Sequence, residues 1–231
     1  MLFRSFKVRL GGCQSAAITN FGRVFTWGNN DYGQLGDGTN EGKYIPIEIT
    51  DKFSLVDGEK VIEVSLGGRH SAAITNFGRV FTWGDNWNGQ LGDGTLYYKN
   101  IPTEITNNLD LIGEEKVIGV SLGNSHSAVI TSEGREFTWG DNYCGQLGDG
   151  TNSDKNYPTE IYNLEVISKL YIDENSSGTK LNLSIFPKYD FTNKISLINI
   201  NGIDYDDNYF TITNGRIDII IDNIWNNGEI V

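Results

Sequence analysis

The chain has 231 residues and a formal net charge of −12, with 28 glycines against 4 prolines. Because so acidic a protein lacks the lysine and arginine surplus that neutralises phosphates, we expect neither nucleic acid nor an anionic membrane surface as a partner. Many glycines without a collagen-like triplet indicate many turns between short strands, so the composition favours an all-β class over a helical one.

A unit of 56 residues recurs along the first two thirds of the chain. Its tryptophans, Trp27, Trp83 and Trp139, are each 56 positions apart. The third copy keeps the register of the second without a gap. A fixed period of this length is the signature of stacked repeats. The stretches 15–39 and 71–95 are identical except at Asn29/Asp85, Asp31/Trp87 and Tyr32/Asn88.

Each copy is predicted to contain about four short strands joined by turns. In the second copy the strands are 61–66, 70–75, 79–83 and a last segment around 101–105, where proline suits a strand start or a sheet edge. Asn76-Phe77-Gly78 predicts a tight loop between the second and third strands. Four strands per repeat of this length predict the blades of a β-propeller. Solenoids are the competing architecture, but they usually use shorter units or helices.

The repeat resembles a known family. The string G-G-x-H-S-A-A-I-T-x-x-G-R-V-F-T-W-G-x-N-x-x-G-Q-L-G-D-G-T stands at 67–95, with variants at 11–39 and 123–151. It closely resembles the repeat of the regulator of chromosome condensation, and the resemblance covers residues 4–162. It implies a propeller that is complete with seven blades. With three units, the chain is expected to be part of a longer ring or to complete one by association.

The last third has a different composition, rich in isoleucine, asparagine and aspartate. Alternating runs predict strands at 180–186, 194–203, 209–213 and 216–221. Asn214-Gly215 predicts a two-residue hairpin. The ending from residue 214 resembles the final strands of a bacterial immunoglobulin-like domain, which implies a modular extracellular bacterial protein or a phage-type adhesin. A β-sheet cap on an incomplete propeller is the alternative.

The predicted architecture is therefore all-β with two domains. Residues 1–167 form a partial β-propeller of three four-stranded blades, and residues 168–231 form a small β-sandwich-like segment. The run 165–170 either opens a fourth unit or completes the third blade. No stretch reaches the roughly 18 apolar residues of a membrane span, and the N-terminus has no signal-peptide core.

The recurring polar residues are predicted to be structural. His70 and His126 share one repeat position, but Gln14 replaces them in the first copy, so we expect hydrogen bonding inside the blades and not catalysis. The aspartates between glycines lack the oxygen-rich spacing of a calcium loop, so we expect them to bond their own turn backbone. These aspartates are Asp37, Asp93 and Asp149.

Nothing in the sequence suggests catalysis. Cys13 and Cys144 occupy different repeat positions and are predicted to be free thiols. The chain has no phosphate loop, nucleophile elbow or zinc-protease motif. We expect no enzyme activity, no cofactor and no metal.

Candidate binding residues lie where the copies differ while their scaffold stays constant. Loops on a rigid support are the usual place for such residues, and aromatic side chains anchor interfaces or stack on sugars. Packing between blades is the alternative for any single position. The predicted contact residues are Asp31, Tyr32, Trp87, Asn88, Tyr97, Tyr98 and Tyr143.

These observations predict a non-enzymatic scaffold that binds a protein partner. We expect it to belong to a larger bacterial surface or secreted protein, although this chain carries no signal peptide. Two alternatives remain: guanine-nucleotide exchange on a small GTPase, the activity for which the family is named, and binding of carbohydrate or cell wall. Exchange is disfavoured because under half a ring is present. Open blade edges also predict self-association.

Overall fold

The computed structural model describes the backbone of residues 5–161, with side chains from residue 7 onward, and the backbone of eight short strands beyond them. The chain divides into two compact units, Met1–Tyr162 and Asn163–Val231. The predicted domain boundary between residues 167 and 168 lies outside the described residues. No helix in the described part of the chain is long and apolar enough to cross a membrane.

The first unit contains three antiparallel sheets of four strands each, paired in sequential order. This confirms the all-β class and the three four-stranded sheets, which we call blades 1, 2 and 3. Their strands are β1 (Ser5–Leu10), β2 (Gln14–Thr19), β3 (Val24–Gly28), β4 (Lys43–Glu48), β5 (Val61–Leu66), β6 (His70–Thr75), β7 (Val80–Gly84), β8 (Lys99–Glu104), β9 (Val117–Leu122), β10 (His126–Thr131), β11 (Glu136–Gly140) and β12 (Lys155–Ile161).

The second and third strands of each blade form the predicted tight hairpin. In blade 2, Ser71 pairs with Trp83 and Ile74 with Val80. Gly78, which has a φ of 84°, donates its N–H to the Thr75 carbonyl at 2.9 Å. Such a positive φ is readily adopted only by glycine, so the Asn-Phe-Gly sequence fixes the turn and therefore the register of both strands.

The blades pack face to face through their apolar side chains. One core cluster joins blade 1, including Ile18 and Val24, to blade 2, including Val64, Phe81 and Trp83. An equivalent cluster joins blade 2 to blade 3 around the buried Trp139. The phenylalanine and tryptophan of β7 and β11 therefore fill the space between neighbouring sheets.

Two short 3-10 helices follow the fourth strands of blades 1 and 2, at Thr50–Phe53 and Thr106–Asn108. Blade 3 already has its four strands within residues 117–161, so it does not need the run 165–170 to complete it. Most of that run lies outside the described residues, and Leu170 begins a strand of the second unit.

The second unit is described only by its strands. A four-stranded sheet has the order β13-β14-β18-β17, and the pairs β15-β16 and β19-β20 form two-stranded sheets. The strands are β13 (Leu170–Ile172), β14 (Lys180–Ile185), β15 (Leu197–Ile200), β16 (Ile203–Asp206), β17 (Phe210–Thr213), β18 (Arg216–Asp222), β19 (Trp225–Asn226) and β20 (Glu229–Ile230).

Two strand predictions in this unit have different outcomes. Thr213 lies opposite Arg216, so the hairpin predicted around Asn214-Gly215 is confirmed. The single run predicted at 194–203 is wrong, because β15 and β16 pair antiparallel with each other. Asn201-Gly202 stands between these two strands, and this dipeptide is the same hairpin signal. The sandwich arrangement and the immunoglobulin-like resemblance stay predictions.

Candidate binding face

A buried asparagine organises the long loop between the third and fourth strands of each blade. In blade 2, Asn86 is completely buried, and its Nδ2 donates to Asp93 Oδ1 at 3.1 Å and to the Thr95 and Tyr97 carbonyls at 3.0 and 3.2 Å. Its Oδ1 accepts the Leu91 N–H at 2.9 Å. Asn30 and Asn142 make the same bonds in blades 1 and 3. Each loop is therefore held from inside by one side chain.

The aspartates between glycines fix the tip of each loop. Asp149 Oδ1 accepts the N–H and the hydroxyl of Thr151 at 2.9 and 2.8 Å, and Lys155 Nζ lies 3.3 Å from Asp149 Oδ2. Burial alone would raise the pKa of Asp149, but these partners and Asn142 lower it to about 2. Asp37 and Asp93 repeat the arrangement. The predicted turn role of the three aspartates is confirmed.

The long loops and the short loops between the first and second strands emerge on one side of the blades. Asp85 N donates to the Arg69 carbonyl at 3.0 Å, and Asp141 N donates to the Ser125 carbonyl at 2.9 Å. Gly68 N also bonds the Asn124 carbonyl of the next blade at 3.0 Å. We call this side the loop face. It consists of segments 11–13, 29–42, 67–69, 85–98, 123–125 and 141–154.

All seven predicted contact residues lie on the loop face, and four of them are aromatic residues that project into solvent. Trp87 and Tyr143 occupy the same repeat position in blades 2 and 3 and are 73% and 84% exposed. Their backbone N–H groups bond Asp85 Oδ1 and Asp141 Oδ1 at 3.2 and 3.1 Å. These rings are therefore presented on fixed backbone. Tyr97 and Tyr98 are also exposed.

The other three predicted residues make contacts within the protein, and of these Asp31 is also exposed. The Arg69 guanidinium lies 5.0 Å from the centre of the Tyr32 ring and donates to its hydroxyl at 3.3 Å. Asn88 Nδ2 donates to Asp154 Oδ2 in the next blade at 3.3 Å. Asp31 accepts a bond from Asn29 Nδ2 at 2.9 Å. Tyr32 and Asn88 therefore link neighbouring blades, which is the packing role left open for single positions.

Sequence reasoning left two exposed apolar residues out of the contact set. Tyr44 is fully exposed at the start of β4, and Leu96 is exposed beside Tyr97. Tyr44 occupies the repeat position that is asparagine in the other two copies, at Asn100 and Asn156. This difference between copies was the sequence signal that could have placed Tyr44 in the contact set.

Comparison with known proteins identifies the repeat. The family described as "Regulator of chromosome condensation (RCC1) repeat" matches residues 22–74, 78–130 and 133–170. A second family with the same description matches residues 61–90 and 117–146. The chain belongs to the RCC1 repeat family.

Relatives of this RCC1 repeat chain are much longer proteins. Human E3 ubiquitin-protein ligase HERC2 is 35% identical over 143 residues, which is 62% of this chain and 3% of that protein. RUG3, a mitochondrial RCC1 domain-containing protein of Arabidopsis thaliana, is 34% identical over 141 residues, or 61% of this chain and 30% of that protein. The chain therefore spans less than a third of these relatives.

Solved structures share the fold of the three RCC1 blades. Human WBSCR16 aligns with a TM-score of 0.62 and 30% identity over 70% of this chain and 40% of its own. Prp20p of Saccharomyces cerevisiae aligns with a TM-score of 0.58 and 22% identity over 73% of this chain and 40% of its own. These similarities show that the described blades are consecutive blades of an RCC1 propeller.

The buried histidine of the second RCC1 repeat joins two blades. His70 is completely buried, and its Nε2 lies 3.0 Å from Ser127 Oγ in blade 3. Burial, and then the nearby His126, lower the pKa of His70 to about 3. Gln14 takes the same place between blades 1 and 2, where its Nε2 donates to the Gly67 carbonyl at 3.0 Å. The predicted hydrogen-bonding role is confirmed for His70, although its bond runs between two blades and not inside one, and it stays a prediction for His126.

No arrangement for metal chemistry is present among the described residues of the RCC1 blades. No group of three or more His, Cys, Asp or Glu side chains in residues 7–161 could hold a metal ion. Cys13 and Cys144 are both exposed and free.

Proposed function

We propose that the chain is a non-enzymatic binding module whose loop face holds a protein partner. The observation that carries this proposal is the pair of exposed rings, Trp87 and Tyr143, presented one repeat apart on loops that Asn86 and Asn142 fix from inside. Large aromatic side chains on rigid support lose little conformational freedom on binding, so they make efficient interface anchors.

The charge of the loop face supports a partner with a basic surface. The three lysines that begin the fourth strands, Lys43, Lys99 and Lys155, pair with the turn aspartates, and Arg69 is the one base inside the loop segments. Lysine and arginine of a partner would meet both the carboxylates and the faces of the rings. The loop segments contain eight carboxylates: Asp31, Asp37, Glu41, Asp85, Asp93, Asp141, Asp149 and Asp154.

The names of the related proteins are consistent with protein binding. The structure of Prp20p is described with its binding properties to Gsp1p and histones, and that of yeast RCC1 was determined with Kap60 bound. HERC2 is named as an E3 ubiquitin-protein ligase, but this chain matches 3% of it. The shared part is the blade array, so we assign binding and not ligation to this chain.

The test is affinity capture with quantitative mass spectrometry, using the unaltered chain and paired variants. Trp87→Ala combined with Tyr143→Ala should remove the captured proteins. Phe21→Ala combined with Phe77→Ala is the matched control, because these exposed rings lie on the hairpins at the opposite side of the blades. Equal capture by both double variants would contradict the loop face as the binding surface.

Carbohydrate binding is the second candidate, since exposed tryptophan and tyrosine rings also stack on sugars. A glycan array separates the two functions. Binding that is lost with Trp87→Ala would favour the carbohydrate, whereas salt-sensitive capture of basic proteins would favour the protein partner. Nucleotide release from a small GTPase would support exchange activity instead.

We further propose that the chain works within a larger bacterial surface or secreted protein. The resemblance of residues 214–231 to the end of a bacterial immunoglobulin-like domain supports this context. Protease treatment of intact cells of the source organism tests it. Recovery of peptides from residues 1–161 in the medium is expected, and their release only after cell lysis would contradict the proposal.

A further inference from the structure

Blade 2 has apolar residues at positions of the long loop where the other two copies have none. Residues 96–98 are Leu-Tyr-Tyr, whereas the equivalent residues are Asn-Glu-Gly at 40–42 and Asn-Ser-Asp at 152–154. Leu96 and Tyr97 are 55% and 76% exposed, and Tyr98 is also exposed. Blade 2 packs against a neighbour on each side, so this exposure does not come from an uncovered blade.

Hydrogen bonds place this loop segment beside Trp87. The Tyr97 carbonyl accepts Nδ2 of the buried asparagine that precedes Trp87, at 3.2 Å. In blade 1, Asn40 Nδ2 donates to the Asp31 carbonyl at 3.1 Å. These two positions are equivalent to those of Leu96 and Trp87. Because the loops share their internal bonds, the three apolar side chains of blade 2 start from adjacent backbone.

Blade 3 extends this apolar surface across the junction. The exposed Tyr157 places its ring in the space that a Cβ on Gly94 would need. Gly94 N donates to the Asn156 carbonyl at 2.9 Å, and Asn156 Nδ2 donates to the Gly94 carbonyl at 3.0 Å. This paired contact holds the ring against the loop of blade 2, two residues from Leu96. We call the following side chains the apolar patch: Trp87, Leu96, Tyr97, Tyr98 and Tyr157.

The equivalent positions of blade 1 are acidic. Asp31 stands at the repeat position of Trp87, and it is exposed. Glu41 stands at the repeat position of Tyr97, and its side chain stays 86% exposed although Lys43 Nζ lies 3.6 Å away. Two rows of equivalent positions therefore change from a carboxylate in blade 1 to a ring in blade 2. The loop face thus has a direction along the row of blades.

In blade 3 the same two rows have no carboxylate, because they end in Tyr143 and Ser153. Asp154 is exposed in the same loop segment, but both of its carboxylate oxygens already accept bonds. Oδ1 accepts the Asn142 N–H at 2.8 Å, and Oδ2 accepts Asn88 Nδ2 at 3.3 Å. Basic residues of a partner are therefore expected on the blade 1 side of the apolar patch.

We propose that the loop face binds an extended segment of a protein partner in which large apolar residues are flanked on one side by lysine or arginine. The apolar residues pack on the apolar patch, and the basic residues meet Asp31 and Glu41. A protein segment fits this surface better than a sugar, because Leu96 offers neither a stacking ring nor a hydrogen bond. Such binding rests on the proposed function of the loop face and specifies the composition and direction of the bound segment.

The experiment is selection of random short peptides displayed on phage, with the full chain as bait. Enriched peptides are expected to combine leucine, phenylalanine or tryptophan with lysine or arginine on one side. No enrichment, or enriched peptides without basic residues, would overturn the proposal. Synthetic copies of the enriched peptides are then titrated with the full chain by fluorescence anisotropy at low and high salt.

Paired variants separate the apolar contribution from the charged one. Leu96→Asn combined with Tyr97→Ser gives blade 2 the residues of blade 3, which the same scaffold already holds. It should weaken peptide binding by at least about tenfold and leave its salt dependence unchanged. Asp31→Asn combined with Glu41→Ser should weaken binding by roughly threefold at low salt and flatten its salt dependence.

Each pair has a matched control. Tyr44→Asn removes a fully exposed ring outside the apolar patch and introduces the residue of the other copies. Asp57→Asn combined with Glu114→Ser removes two exposed carboxylates on the side opposite to the loop face. Equal weakening by a control and by its test variant would overturn the proposal. Failure of the peptide selection while affinity capture still depends on Trp87 and Tyr143 would overturn the bound segment alone and leave the proposed function standing.

Discussion

Single buried polar side chains determine the shape of the loops. Asn86 has no contact with solvent, yet its amide satisfies one backbone N–H and three backbone or side-chain oxygens that no strand pairs. Buried polar groups without partners cost about 1–3 kcal/mol each. One asparagine therefore holds together a loop that has no regular secondary structure of its own.

Replacing this asparagine should loosen the loop and destabilise the first unit. We expect Asn86→Ala to lower the thermal midpoint by roughly 5–10 °C, since about 2–3 kcal/mol of hydrogen bonding is lost in a protein of this size. Asn40→Ala is the control, because Asn40 is exposed and bonds only surface atoms of its own loop and of Asn100. Calorimetry of both variants checks the prediction, and equal midpoints would contradict it.

The buried histidine should make stability depend on pH. The pKa of His70 is about 3 in the folded chain because burial disfavours the charged ring, whereas an unfolded histidine has a pKa of about 6.5. The unfolded state therefore binds the proton first, and stability falls as the pH decreases from about 6.5 to about 3.

Two separate substitutions, at His70 and at the equivalent Gln14 of blade 1, isolate the contribution of a buried histidine to the pH dependence of stability. His70→Gln should flatten the dependence of the urea midpoint on pH between about 6.5 and 4, since glutamine takes up no proton. Gln14→His is the reciprocal change, which places a second buried histidine between blades and should steepen the dependence. An unchanged slope in His70→Gln would show that His70 is not the titrating group.

At the scale of strands and loops, an arginine joins three segments in blade 2 and again in blade 3. Arg135 is almost buried, with Nη1 2.9 Å from Glu115 Oε2 and Nη2 2.6 Å from Glu160 Oε2. Its guanidinium also lies 4.8 Å from the centre of the Phe137 ring. Glu115 precedes β9 and Glu160 lies on β12, so the arginine at the start of the hairpin's second strand connects the innermost and outermost strands.

Removing the arginine should lower the free energy of unfolding far more in blade 3 than at the equivalent, more exposed position in blade 1. Arg135→Gln leaves the Glu115 carboxylate buried without its cation and should lower the free energy of unfolding by about 3 kcal/mol. Arg23→Gln should lower it much less, because the Arg23–Glu48 pair is about one third exposed and screened by water. Urea unfolding measures both, and equal losses would contradict the assignment.

The strands could be predicted from the sequence better than the roles of single loop residues. The Asn-Phe-Gly turn and the tryptophan spacing determine β6 and β7, because a glycine turn and a period of 56 residues are both local signals. Trp87 and Asn88 are equally variable neighbours, but the first points to solvent and the second to Asp154 of the next blade. Loops have no side-chain periodicity, so this difference had no sequence signal.

On the scale of the whole molecule, the three described blades follow one another so that blade 2 packs against both blade 1 and blade 3. The stability of such arrays is approximately the sum of the terms for each repeat and for each junction between repeats. Two junctions join the three described blades, and each contains the buried tryptophan of its second blade, Trp83 or Trp139. A substitution in a junction should therefore affect both of the blades that it joins.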